Sequence, residues 1–278
     1  MEKVLISRIL VALDASSSSR NILQAGIKLA THLNAELNVL FIEDIDLLHV
    51  AELPFVREVI YGAPVGRSIN VMAMERSMQT QSAQLRKLVE SIARENQIKI
   101  TFSVMRGNVA RMLCDASQQT DLLVIGKNTQ LLLKSRKIGS ITRLVLATAR
   151  CNLVVLQYGS IIERPVVVVY TGDRTSQRAL TLAIELARED HNQLIIVLPA
   201  VDDSDYQQLC ESVQNNVRDH SLQISLVRLP INSAEQILQV IQQVHGRILL
   251  LESDSAFLTD LEQQLLIMQS DVPVILLR

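Results

Sequence analysis

The stretch Leu23-Gln24-Ala25-Gly26-Ile27-Lys28-Leu29-Ala30 returns in related form as Leu180-Thr181-Leu182-Ala183-Ile184-Glu185-Leu186-Ala187, with the apolar positions in the same helical register. Each copy follows a short apolar run, Ile9 to Leu13 in the first case and Pro165 to Tyr170 in the second. A chain that repeats a strand and helix in this way folds as two copies of one unit. The 278 residues are long enough for two ordinary domains. We expect these at 1–160 and 161–278, joined near Gly159 to Arg164.

Periodicity fills in the rest. In the first copy, apolar runs at Leu37 to Ile42, Ile98 to Met105, Leu122 to Ile125 and Leu153 to Leu156 alternate with helical patterns. These helices cover Ile22 to Ala30, Val71 to Glu95, Val109 to Gln118, and the residues after Gly139. The second copy continues with a helix over Ser176 to Arg188. Its further strands are at Leu194 to Leu198, Leu222 to Val227, Ile248 to Leu251 and Val272 to Leu277. Strands alternating with helices predict an α/β fold with parallel sheets covered on both faces. The segment from Leu47 to Asn70 breaks the pattern with Pro54, Gly62, Pro64 and Gly66. It is longer than a usual connection, and its apolar residues need something to pack on: the second domain, a partner subunit, or the rim of a pocket.

Composition narrows the function classes. With 48% hydrophobic residues, 3% aromatics and no Trp, the core is aliphatic. The balance of 27 basic and 29 acidic residues leaves no electrostatic footprint for nucleic acid. Cys114, Cys151 and Cys210 form no CxxC pair, which fits a reduced compartment. The first residues run straight into a strand without a signal-peptide pattern, and no apolar run is long enough to span a bilayer. The expectation is a cytoplasmic protein with no membrane or nucleic-acid partner.

The chemistry concentrates in one loop. Gly126-Lys127-Asn128-Thr129, nine residues, then Gly139-Ser140-Ile141-Thr142 directly follow the strand Leu122 to Ile125. Lys127, Lys134, Arg136 and Lys137 make the loop basic, and no acidic residue offsets them. The helix that begins after Gly139 offers free N–H groups and the positive end of its dipole, which suits an anion such as a phosphate chain. An ordinary solvated loop fits the same spacing. The corresponding loop of the second copy, Glu252-Ser253-Asp254-Ser255-Ala256-Phe257, is acidic and glycine-free and should repel phosphate.

Asp14 ends the first strand and reads either as a ligand contact or as a helix cap for the run Ser16 to Ser19. The serines lie in no Gly-x-Ser-x-Gly elbow, and the five histidines show no metal-ligand or catalytic spacing. Glu43, Asp44 and Asp46 could coordinate Mg2+ on a nucleotide or form a solvated strand end. No catalytic residue and no protein-held metal is expected.

These residues together resemble the universal stress protein family in its tandem two-domain form. The resemblance rests on Val11-Ala12-Leu13-Asp14, Arg106-Gly107-Asn108, and the loop that is similar to the family's Gly-x-x-Gly, nine residues, Gly-Ser pattern. Thr129 stands where that pattern has its second glycine. β-Branched Thr resists the positive φ that glycine allows, although its hydroxyl could meet a phosphate oxygen. The resemblance implies two doubly wound domains, each a five-stranded parallel sheet of order 3-2-1-4-5, with a ligand where the order reverses. It implies ATP as ligand, with or without Mg2+, in a regulatory protein of stress response, and the acidic loop of the second copy confines that nucleotide to the first half. An interaction scaffold that has lost nucleotide binding and a slow ATPase are the alternatives. By the same resemblance Ala12, Leu13, Asp14 and Ala15 would contact the nucleoside, and Ile42 would close the adenine pocket. Gly107 lies in the matching motif. Gly126, Lys127, Asn128 and Thr129 would meet ribose and phosphates, and Gly139, Ser140, Ile141 and Thr142 would donate to the phosphate chain. Pairing through the last strands, Leu153 to Leu156 against Val272 to Leu277, would make an intramolecular pseudo-dimer. A further homodimer and a protein partner stay open.

Overall fold

A computed structural model describes residues 5–53, 57–58, 67–68, 70–127, 139–157, 159, 162–163, 165–188, 193–217, 222–231, 233–253 and 257–278. In chain order the first half holds β1 (Arg8–Leu13), α1 (Ser19–Leu33), β2 (Glu36–Asp44), α2 (Ile45–Ala51), β3 (Arg57–Glu58) and β4 (Arg67–Ser68). It continues with α3 (Val71–Glu95), β5 (Ile100–Gly107), α4 (Val109–Ser117), β6 (Leu122–Gly126), α5 (Ser140–Thr148) and β7 (Asn152–Leu156). The second half holds β8 (Val166–Val169), α6 (Arg174–Ala187), β9 (Gln193–Pro199), α7 (Asp203–Asn216) and β10 (Gln223–Leu229). It ends with α8 (Ala234–Gln243), β11 (Ile248–Glu252), α9 (Asp260–Gln269) and β12 (Val274–Leu277).

Ten strands form one sheet in the order β10-β9-β8-β11-β12-β7-β6-β1-β2-β5. Each half contributes five parallel strands in the expected 3-2-1-4-5 order. The halves meet at β7 and β12, which run antiparallel with Val155 opposite Val274, Val154 opposite Ile275, and Leu153 opposite Leu276. Both strands are buried throughout because neither is an edge, and both are apolar but for Asn152, whose amide donates to the Asp121 carbonyl and accepts from the Arg278 N–H.

The pleat sorts side chains to two cores. Ile9, Val11, Leu122 and Val124 pack with α1, α3, α6 and α7 on one face. Leu10, Leu123, Ile125, Leu153 and Val155 pack with α4, α5, α8 and α9 on the other. Helix α1 sits so close to β1 that a Cβ at Gly26 would collide with the side chain of Val11. Among the described residues no helix is long and apolar enough to cross a membrane.

Sequence periodicity located the long helix α3 at its observed ends and placed the strands to within about two residues. The helix α2 lies where the sequence pattern breaks, since a seven-residue helix shows too little of a 3.6-residue period. Of the segment between Leu47 and Asn70, the described part is the end of α2, Glu52 and Leu53, and the short antiparallel pair β3 and β4.

Candidate functional site

Strand order reverses at β1, which has β2 on one side and β6 on the other, so the chains leaving their carboxyl ends diverge and leave a crevice. A cavity of about 250 Å3 lies there. Its apolar wall comes from strand ends and flanking helices, including Leu40, Ile42, Ile125, Val109, Leu113 and Val145. Five polar side chains join them: Asp14, Glu43, Asp44, Gln81 and Thr142.

Seven of the residues expected to contact the nucleotide line this cavity, Ala12, Leu13, Asp14, Ile42, Gly126, Ile141 and Thr142, together with Glu43 and Asp44. Ala15, Gly107, Gly139 and Ser140 lie at its edges in sequence but outside its lining. Asn128 and Thr129 lie outside the described residues. Lys127 turns elsewhere. Its Nζ donates to the carbonyls of Met268 and Ser270, at the end of α9 in the other half.

Asp14 does not cap α1 directly. Oδ1 accepts from the backbone N–H of Ser16 at 3.1 Å, from the Ser16 hydroxyl at 2.5 Å and from the Ser19 hydroxyl at 3.3 Å. The helix N-cap is Ser18, which makes no side-chain capping bond. The serine run therefore holds the Asp14 carboxylate in place at the end of β1.

The loop neck is pinned. Lys127 donates its backbone N–H to the Leu156 carbonyl at 2.8 Å, and Gly139 donates to the Lys127 carbonyl at 3.3 Å. The buried Thr142 hydroxyl donates to the carbonyls of Gly126 and Lys127 at 3.1 and 3.3 Å. Gly139 is the N-cap of α5 and has no side chain with which to cap it. The N–H groups of Ser140 to Thr142 thus have no intrahelical acceptor, and the dipole adds positive potential there.

The acidic residues after β2 are already engaged. Glu43 accepts from Arg106 Nε at 2.9 Å, and Arg106 also reaches Glu75 at 3.4 Å. The Glu43 carboxylate holds the Arg106 guanidinium above its ordinary pKa. Asp44 caps α2 through the Asp46 N–H, and Asp46 accepts from Asn108 Nδ2 at 2.6 Å. Among the described residues no group of three His, Cys, Asp or Glu is placed to hold a metal.

The second half differs at the matching positions. Ile9 pairs with Leu122 in the first half, and Val166 with Ile248 in the second. Five residues beyond Ile9 and Val166 lie Asp14 and Thr171; four beyond Leu122 and Ile248 lie Gly126 and Glu252. The Glu252 side chain is buried, and its Oε1 accepts from the Thr171 hydroxyl at 3.2 Å. Thr171 also donates to Asp173 at 2.7 Å, and Asp173 caps α6 through the Ser176 N–H at 2.7 Å. Burial opposes the charge of Asp173, but the Ser176 N–H and Thr171 hydroxyl outweigh it and hold the carboxyl below its ordinary pKa. The N-terminus of α9 carries a capping box of Thr259 and Glu262 that satisfies two of its donors, where α5 has Gly139.

The sequence profile of the Universal stress protein family matches residues 6–157. The chain belongs to the universal stress protein family. The match ends one residue beyond β7, at the boundary between the halves. Among solved structures, a universal stress protein from Archaeoglobus fulgidus is similar, with a TM-score of 0.70 and 15% identity, over 98% of this chain and 96% of that one. A functionally unknown protein from Pseudomonas aeruginosa reaches a TM-score of 0.66 at 12% identity, over 99% and 93%. At these identities the likeness concerns the fold, and it spans both halves.

Sequence reasoning missed Met78 and Gln81 of α3 as lining residues, and of the three packing surfaces left open for the segment that begins at Leu47, the pocket rim is the one Leu47 of α2 joins. Their signal was present but weak. Met78, Leu85, Val89 and Ile92 form the buried stripe of α3, and Gln81 is the polar residue at the corresponding helical spacing.

Proposed function

We propose that this universal stress protein is a regulatory protein that binds an adenine nucleotide, with ATP as the reference ligand, in its first half only. The observation that carries this reading is the cavity at the reversal of strand order, bounded by Asp14 on one side and the uncapped N-terminus of α5 on the other. Its volume lies just below the usual range for small-molecule sites, roughly 300–1,000 Å3, and its wall is mainly apolar with few polar groups. That suits a base and sugar inside the cavity and phosphates at its mouth. There, Gly126 and the N–H groups from Ser140 to Thr142 supply space and donors, and Asn128 and Thr129 follow in the chain.

Restriction to the first half is supported by Glu252, which brings a buried carboxyl to the position of Gly126, and by the capping box, which engages the Thr259 and Glu262 N–H groups at the start of α9 and places the Glu262 carboxylate there. Mg2+ would enter on the phosphates, because Glu43, Asp44 and Asp46 already have internal partners. The halves correspond to domains at 1–160 and 161–278, and the β7–β12 junction serves as an internal pseudo-dimer interface. A cytoplasmic, stress-responsive role with a protein partner accords with this reading.

The test is thermal unfolding with ATP, ADP and AMP at millimolar concentration, combined with titration calorimetry. Binding to the native state alone raises the melting temperature, and one site per chain is expected. No shift with any of the three leaves an interaction scaffold; two sites per chain overturn the restriction to the first half.

A further inference from the structure

Four of the five polar side chains in the cavity wall have internal partners. Asp14 is held by Ser16 and Ser19, Glu43 by Arg106, Asp44 by the Asp46 N–H, and Thr142 by the carbonyls of Gly126 and Lys127. Gln81 has none among the described residues. It sits on the inner stripe of α3, one turn from buried Met78 and one turn from buried Leu85, where the helix passes the carboxyl ends of the strands. Its amide atoms are not among the buried unsatisfied ones, so they are open to water in the cavity, and a ligand that displaces this water must replace those hydrogen bonds or lose affinity.

Resting on the nucleotide reading above, we propose that Gln81 is the residue that selects the base, pairing its amide with the N6 amino group and N7 of adenine. The chemistry follows from the donor and acceptor pattern. A glutamine amide offers one acceptor oxygen and one donor NH2 side by side, and adenine presents the complementary N6–H donor and N7 acceptor on one edge. Guanine presents O6 and N7 there, both acceptors, so the amide oxygen would face an oxygen. Met78 beside it supplies a polarizable thioether against the ring system. Elsewhere in the wall Leu40, Ile42, Val109 and Leu113 are apolar and accept either purine, and the other four polar side chains already have internal partners. Base choice therefore falls to Gln81.

The experiment compares ATP, GTP and 7-deaza-ATP on the full chain and on Gln81→Leu and Gln81→Glu. The unmodified chain should bind ATP about tenfold more tightly than GTP and than the deaza analogue, the scale of one well-formed amide pair. Gln81→Leu should reduce both preferences to near unity while its melting temperature without nucleotide stays equal or rises, since an unpaired amide has been replaced by an apolar side chain. Gln81→Glu, which keeps the acceptor and loses the donor, should retain the weak affinity for 7-deaza-ATP and lose affinity for ATP. A chain that binds ATP selectively and keeps that selectivity in Gln81→Leu overturns the assignment of Gln81 and leaves the nucleotide reading intact. A chain that binds none of the three nucleotides overturns both.

Discussion

Thr171 donates its hydroxyl hydrogen bond to the buried carboxyl of Glu252 across the ends of β8 and β11, where the first half has Asp14 and Gly126 facing a cavity. The position that lines the cavity as Gly126 carries in the second half a buried glutamate side chain. The contrast extends to the helix that follows, uncapped at Gly139 and boxed by Thr259 and Glu262.

Gly126→Glu should reproduce the second half's arrangement in the first. The ATP-dependent rise in melting temperature, about 2.7 kcal/mol of stabilisation when ligand is a hundredfold above its dissociation constant, is expected to vanish. Scanning calorimetry with and without ATP checks this. A full ATP response in the variant contradicts the placement of the ligand beside Gly126.

Lys127 anchors the base of the loop to the far half through the carbonyls of Met268 and Ser270. Lys127→Met should therefore lower stability by about 1.5 kcal/mol, typical of hydrogen bonds from a charged donor, and leave most of the ATP response in place. Urea unfolding gives the first quantity and thermal shift the second. Unchanged stability with a lost ATP response would turn this side chain back toward the ligand.

Arg278 performs the reciprocal task. Its guanidinium donates to the carbonyls of Leu146 and Ala149 at the end of α5, while Gln157 reaches the Ile267 carbonyl at the end of α9 at 3.4 Å. Each half thus terminates a helix of the other. Arg278→Ala is expected to reduce the free energy of unfolding by about 1.5–3 kcal/mol. Denaturant midpoints at an unchanged m-value measure it, and a difference within error would show that water replaces the guanidinium without loss.

Asp121 joins the start of β1 to β6 by accepting from the Ser7 N–H at 2.9 Å, the Ser7 hydroxyl at 2.7 Å and the Arg8 N–H at 2.8 Å. Burial opposes its charge, yet these donors outweigh burial and lower its pKa below the ordinary 3.8. A carboxylate depressed in the folded state contributes stability that is complete above the unfolded value and is lost as pH falls through the folded one. Asp121→Asn should accordingly flatten the decline of stability at acidic pH below about 4, the ordinary carboxylate range. Melting temperatures taken through that range for both proteins decide it; parallel curves would remove Asp121 from the acid response.

Burial pushes the Cys151 thiol up to about 11. At pH 8 it stays protonated, so alkylation by iodoacetamide should reach Cys151 only after unfolding, whereas the half-buried Cys114 and Cys210 react first. Peptide mass analysis of native and denatured samples reads the order directly. Early labelling at Cys151 would show that the start of β7 opens readily.

Local sequence carried a good deal of this. The repeat of the first helix, the apolar runs at β1, β6, β8 and β11, and the glycines at 126 and 139 placed the cavity at the end of β6 and distinguished the basic half from the acidic one. Those features depend on near neighbours in the chain: a pleat of period two, a helix of period 3.6, and a loop with or without Cβ atoms. The direction of Lys127, the carboxyl of Glu252 meeting Thr171, the part of Gln81 in the wall, and the reciprocal capping by Arg278 and Gln157 were decided only when the ten strands came together. Each is a meeting of side chains and carbonyls far apart in sequence, and a long flexible Lys, Arg, Glu or Gln can reach several partners until tertiary packing leaves it one.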